Sequence, residues 1–159
     1  MTPAKPNVGA AGVFDFWATN TRAANMSLTL IWYVAVGGAI GSVGRYILTH
    51  AIQERISTTF PAATLLINVA GSLFLGFISQ IAIDTTSISD EARALLTVGV
   101  CGGFTTFSTF SYETARLMQD GYHRQAALYV IVSVLAALAG LFCGLALARM
   151  LVAARSGSV

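Results

Sequence analysis

Charge is what this sequence has least of. Of its 159 residues 10% are charged and 55% are hydrophobic, whereas a soluble domain carries about 25% charged residues. The few charges also cluster between long apolar runs. That excludes a soluble globular chain and defines an integral membrane protein. Too little polar sequence remains for a second, soluble domain. The net charge of +2 is spread over the loops, so no basic patch invites nucleic acid. The two cysteines, Cys101 and Cys143, lie inside apolar runs. They form no CxxC or Cys/His metal spacing and read as small buried hydrophobes. No nucleophile–base pair is present, because His50 and His123 both fall near span ends. Gly99-x-x-Gly102-Gly103 is followed by no Lys-Ser/Thr and sits in no βαβ pattern, so it is no nucleotide loop. An enzyme is not expected. The spans also carry no Lys, Asp, Glu or His at their midplanes, and proton-coupled pumps usually embed such a group.

What is present is apolar length. Residues 1 to 25, with Pro3, Pro6, Lys5, Asp15 and Arg22, read as a disordered tail without a continuous signal-peptide core. Met26 begins a segment that looks like a natural start. Residues 26 to 155 are expected to form one four-helix membrane unit, with spans at about 28–49, 61–83, 92–118 and 122–151. Trp32 and Tyr33 suit an interface near the start of the first span. Pro61 suits a first helical turn, and Asp90 and Glu91 suit the positive end of the third helix. Small residues recur at packing intervals: Gly37, Gly41 and Gly44 in the first span, and Ala136, Gly140, Gly144 and Ala148 in the fourth. Such rows let backbones approach closely, as a tight bundle or a dimer face. Four spans put both termini on one side with Lys5, Arg22, Arg93, Arg149 and Arg155, against Arg45, Arg55, Arg116 and Arg124 on the other. Lys/Arg asymmetry normally sets orientation. Its near absence suggests insertion both ways, of which an antiparallel homodimer is one natural product.

The stretch Gly99-Val-Cys-Gly-Gly-Phe-Thr-Thr-Phe-Ser-Thr-Phe110 lies inside an uncharged run from Ala94 to Tyr112. Three glycines weaken a helix by up to about 1 kcal/mol each relative to alanine. Irregular backbone at membrane depth survives only where protein buries it or it lines a wet cavity. The third helix is therefore expected to break near the glycines. Freed carbonyls of Gly102 and Thr105, flanking the break, suit a hard cation such as Na⁺, and a two-fold dimer would supply four oxygens. Neutral polar groups mark a path. Asn68 carries two N–H donors, which suit a small anion or a helix–helix hydrogen bond, and Thr64 lies one turn earlier on the same face. Phe107 and Phe110 are three apart and share a face, where ring edges are positive. Ser108 and Thr109 add hydroxyls, and Tyr129 a phenol from the fourth span. Arg45 ends the uncharged part of the first span, as a field source or a snorkelling interface residue. Glu113 ends that of the third, at a vestibule or interface. On residues alone a passive channel and a non-transporting assembly subunit stand even. A small multidrug-type exporter is disfavoured, because Leu28 to Gly44 lacks its embedded glutamate.

Three runs carry a resemblance: Gly-Ala-Ile-Gly-Ser-Val-Gly-Arg45-Tyr, Thr64-Leu-Leu-Ile-Asn68-Val-Ala-Gly-Ser, and Gly102-Gly-Phe-Thr-Thr-Phe-Ser-Thr-Phe-Ser-Tyr-Glu113. From about Leu28 to Leu151 the chain resembles the Fluc/CrcB fluoride channel family. The resemblance implies an all-α membrane protein of four helices with a broken third, paired as a dual-topology homodimer in the cell inner membrane. It implies a passive fluoride channel that relieves fluoride toxicity. Phe107 and Phe110 correspond to pore phenylalanines and Asn68 to a pore asparagine. Thr64, Ser108, Thr109, Tyr129 and, less clearly, Ser133 correspond to a polar path. Arg45 and Glu113 correspond to its vestibule residues. The carbonyls of Gly102 and Thr105 correspond to donors for a structural Na⁺ at the dimer interface.

Overall fold

The computed structural model describes residues 28–56, 58–85 and 88–156. The tail expected over residues 1–25, and the start expected at Met26, lie outside them. Every regular element among the described residues is helical. Helix α1 is Leu28–Arg55 and α2 is Ala62–Asp84. The third span, Asp90–Gln119, is composite. It begins with α3, Asp90–Arg93, passes through a π-helix at Ala94–Cys101 and a last turn, α4, at Gly102–Phe104, and resumes as α5, Phe107–Gln119. Helix α6 is His123–Ser156. All four spans are long and apolar enough to cross a bilayer, whose hydrocarbon core needs about 20 helical residues.

The helices outlast their uncharged cores. Helix α1 runs on past the expected span end near residue 49, through Gln53 and Glu54, to Arg55, with His50 and Glu54 paired one turn apart at 3.4 Å. Polar residues hold helix well at the water interface, so hydropathy marks the membrane core better than the helix end. The ends themselves obey local chemistry. Ser89 caps α3 by accepting from the Ala92 amide at 3.2 Å. After α5 the amide of Tyr122 returns to the Leu117 carbonyl at 2.8 Å and that of Gly121 to Met118 at 3.2 Å. Gly121 has φ +83°, which completes a Schellman stop.

Two close helix pairs form the body. Helix α2 lies along α6, where a Cβ on Gly144 would strike the Leu73 carbonyl and sit 2.8 Å from the Phe77 amide nitrogen. Ala148 on the same row is fully buried. Helix α1 lies against the π-helix and α4. A Cβ on Gly41 would strike the Val100 carbonyl, and one on Gly103 would come 2.5 Å from the Gly38 carbonyl. Both rows of small residues thus serve close contact within the subunit. This corrects the expected role of the third-span glycines. Gly102 has helical dihedrals, φ −64° and ψ −39°, and the break falls later, at Thr105 (φ −82°, ψ 156°) and Thr106 (φ −149°, ψ 115°). Gly99 and Gly103 admit α1, and none of the three glycines ends the helix. Cys101 is buried as expected, whereas Cys143 is exposed on α6.

Candidate functional site

The break is held by side chains from its neighbours. In an unbroken helix the Thr106 N–H would bond the Gly102 carbonyl, four residues back. Here it donates to Asn68 Oδ1 at 2.8 Å, and Asn68 Nδ2 donates to the Thr106 carbonyl at 3.1 Å. One amide side chain on α2 therefore clasps one extended residue at both backbone groups. The second Nδ2 hydrogen lies outside that clasp. Thr106 also caps α5. Its Oγ1 accepts from the Thr109 amide at 3.2 Å and donates to Thr109 Oγ1 at 3.0 Å. Ser108 Oγ lies 3.2 Å from the same oxygen. The Thr109 amide is thereby turned from the Thr105 carbonyl, its helical partner. Both carbonyls expected to face a cation, Gly102 and Thr105, thus lose their usual N–H donors to side-chain groups. A Cβ on Gly102 would meet nothing within 4 Å, so the subunit leaves that turn uncovered. Thr105 anchors the preceding turn, with its amide and its hydroxyl each donating to Cys101 at 2.9 Å.

Below the break the third and fourth spans meet at a carboxylate. Glu113 accepts from Tyr129 Oη at 2.7 Å and from Thr64 Oγ1 at 2.9 Å. Thr64 is 3% exposed and Tyr129 is fully buried. Short hydroxyl-to-carboxylate bonds are about twice as strong as neutral ones, so Glu113 ties α2, α5 and α6 together. It also lines an open cavity of about 260 Å³ with Phe60, Tyr112, Arg116 and Leu117. Rings run from there to the break. Phe60 meets Tyr129 edge-on at 5.5 Å, Tyr129 lies 5.1 Å from Phe110, and Phe110 lies 5.5 Å from Phe107. Phe110 is buried, and Phe107 is 78% exposed.

The residues singled out in the sequence fall into distinct positions. Asn68, Thr109 and Ser108 gather at the break. Thr64, Glu113, Tyr129 and Phe110 form the cluster one to two turns away, and Phe107 stands between the two, open on one side. Ser133, one turn beyond Tyr129, is buried with its hydroxyl unpartnered among the described residues. Arg45 approaches from α1 and donates from Nε to the Gly103 carbonyl at 3.2 Å. Two participants were missed. Thr106 is the hub of the break, and its position ahead of a helical run is the signature of a capping threonine. Phe60 extends the ring row from the loop before Pro61, where no sequence signal points to it.

An all-helical, multi-pass membrane protein with an uncharged, side-chain-stapled break in one span is the class these elements define. Residues 32–145 match the family described as CrcB-like protein, Camphor Resistance (CrcB). A protein of Chlorobaculum tepidum named fluoride-specific ion channel FluC is 49% identical over 125 residues, covering 79% of this chain and 98% of that one. Its namesake in Geobacter sulfurreducens is 45% identical over 124 residues, 78% of this chain and all of that one. One in Chlorobium chlorochromatii is 44% identical over 119 residues, 75% of this chain and 92% of that one. The chain belongs to the CrcB family.

Proposed function

We propose that this protein is a fluoride-selective passive channel that lets cytoplasmic fluoride leave the cell. The observation that carries the reading is the match to proteins named for fluoride conduction along 98% to 100% of their length. The geometry supports it. Hydrogen fluoride enters cells neutral and ionises inside, and an inside-negative potential then drives the anion out with about 2.3 kcal/mol per 100 mV. Such a path needs donors to replace water and no trapping cation. Asn68 has an N–H left over, Ser108 and Thr109 offer hydroxyls, and Phe107 and Phe110 offer ring edges, while Thr64 and Tyr129 extend the polar line with hydroxyls already given to Glu113. Arg45 and Glu113 stand at the approaches.

The reading includes a second copy of the chain, inverted, in the inner membrane. Phe107, Ser108 and Gly102 lie uncovered on one subunit, and an inverted partner would close the path beside them. The carbonyls of Gly102 and Thr105, released from helical partners, would hold Na⁺ as a fixed structural charge between subunits. The test is growth. Cells lacking their own fluoride export are expected to tolerate fluoride when they express this chain, and to lose that tolerance with Asn68→Asp. Unchanged fluoride sensitivity with well-expressed, membrane-inserted protein would contradict the reading.

A further inference from the structure

An arginine near the end of an apolar span is ordinarily a snorkelling residue or a source of field. Arg45 does something more specific. Its Nε donates to the Gly103 carbonyl at 3.2 Å, and Ser42, one turn earlier on α1, points its hydroxyl at the same oxygen from 3.5 Å. Among the described residues no carboxylate lies within ion-pair distance of it. Gly103 sits in the last turn before the break, where helical carbonyls have lost their following N–H groups. A cation that hydrogen-bonds such a carbonyl also meets the negative end of the helix. The close glycine contacts of Gly41 and Gly103 bring α1 near enough for this reach. On the far side of the break Asn68 of α2 holds Thr106 at both backbone groups.

We propose that Arg45 is a positioning residue: through its Nε bond to Gly103 it fixes the last turn before the break, while Asn68 fixes the first extended residue after it, so that the two together set the backbone that the conduction path crosses. The inference rests on the channel reading for its effect on conduction, though not for its effect on the backbone. Its chemistry separates two roles that are usually confounded. The amide nitrogen of glutamine lies as many bonds from Cα as the arginine Nε, so Arg45→Gln keeps a donor in place and removes the charge. Arg45→Lys keeps the charge and puts a methylene where Nε was.

The experiment compares wild type, Arg45→Gln and Arg45→Lys, each purified as folded protein. Fluoride efflux from vesicles and hydrogen exchange of the segment 101–110 are measured together. Arg45→Gln, which keeps a donor in place, is expected to keep the wild-type exchange pattern and to lose less efflux than Arg45→Lys. Arg45→Lys is expected to speed exchange at Phe104 to Phe107 and to lower efflux about tenfold, the effect of losing one charge-assisted hydrogen bond. The reverse order, with lysine active and glutamine inactive and exchange unchanged in both, would assign Arg45 to the field and overturn the proposal. Exchange that follows the expected order without fluoride efflux from wild type would keep the clamp and overturn its role in conduction and the channel reading itself.

Discussion

Glu113 is the residue on which the site's side chains converge, and carboxylate geometry explains why. Two oxygens accept two hydroxyls, from Thr64 and Tyr129, at 2.9 Å and 2.7 Å. Glutamine in its place has one accepting oxygen and one donating nitrogen, so one buried hydroxyl must turn or go unpaired. Leaving a buried polar group unsatisfied costs about 1–3 kcal/mol. Glu113→Gln and Tyr129→Phe are each expected to lower the stability of the detergent-solubilised protein by that amount. The double variant should cost less than the two singles added, because both remove the same bond. Thermal unfolding of the four proteins checks this, and additive losses would mean that Glu113 and Tyr129 act separately. Asn68 illustrates a different point at the same scale. Its two N–H groups were legible as anion donors or as a helix–helix bond, and the structure gives one of them, with the amide oxygen, to Thr106.

At the scale of the helices, spacing was legible and the partners were not. The apolar runs located all four spans, and the four-residue recurrence of Gly140, Gly144 and Ala148 located a close-packing face. Nothing in that recurrence says that the face meets α2, which the Leu73 carbonyl beside Gly144 shows. The break was expected near the glycines, flanked by Gly102 and Thr105, because glycine weakens helix. It falls at Thr105 and Thr106 because Asn68, thirty-eight positions from Thr106 in sequence, offers the Thr106 backbone a better partner. A long-range hydrogen bond leaves no local trace, and the same holds for the π-helix of Ala94–Cys101. The packing account separates glycines that look alike in the sequence. Gly144→Ala drives a methyl into backbone on α2 and is expected to destabilise the fold by about 1–3 kcal/mol. Gly38→Ala, whose Cβ meets nothing within 4 Å, is expected to be neutral or slightly stabilising. Unfolding midpoints in detergent are the check, and equal losses for both would mean that helix propensity, rather than contact, decides.

For the molecule as a whole, the uncovered groups beside the break and the even spread of arginines lead to the same expectation. If the chain inserts both ways, Thr58→Cys in a background without Cys101 and Cys143 should be labelled by an impermeant maleimide from both sides of intact cells and inverted vesicles. Labelling from one side alone would fix a single orientation and remove the inverted partner. The most direct test of the central claim is conduction itself. Purified protein in liposomes, with fluoride and chloride electrodes in the same chamber and a potassium ionophore to clamp the potential, reports both anions at once. Rapid fluoride efflux with little chloride efflux is expected, crippled by Phe110→Ile and by Asn68→Asp in protein that remains folded. Equal release of fluoride and chloride, or fluoride release unchanged by both substitutions, would contradict a selective path through the stapled break.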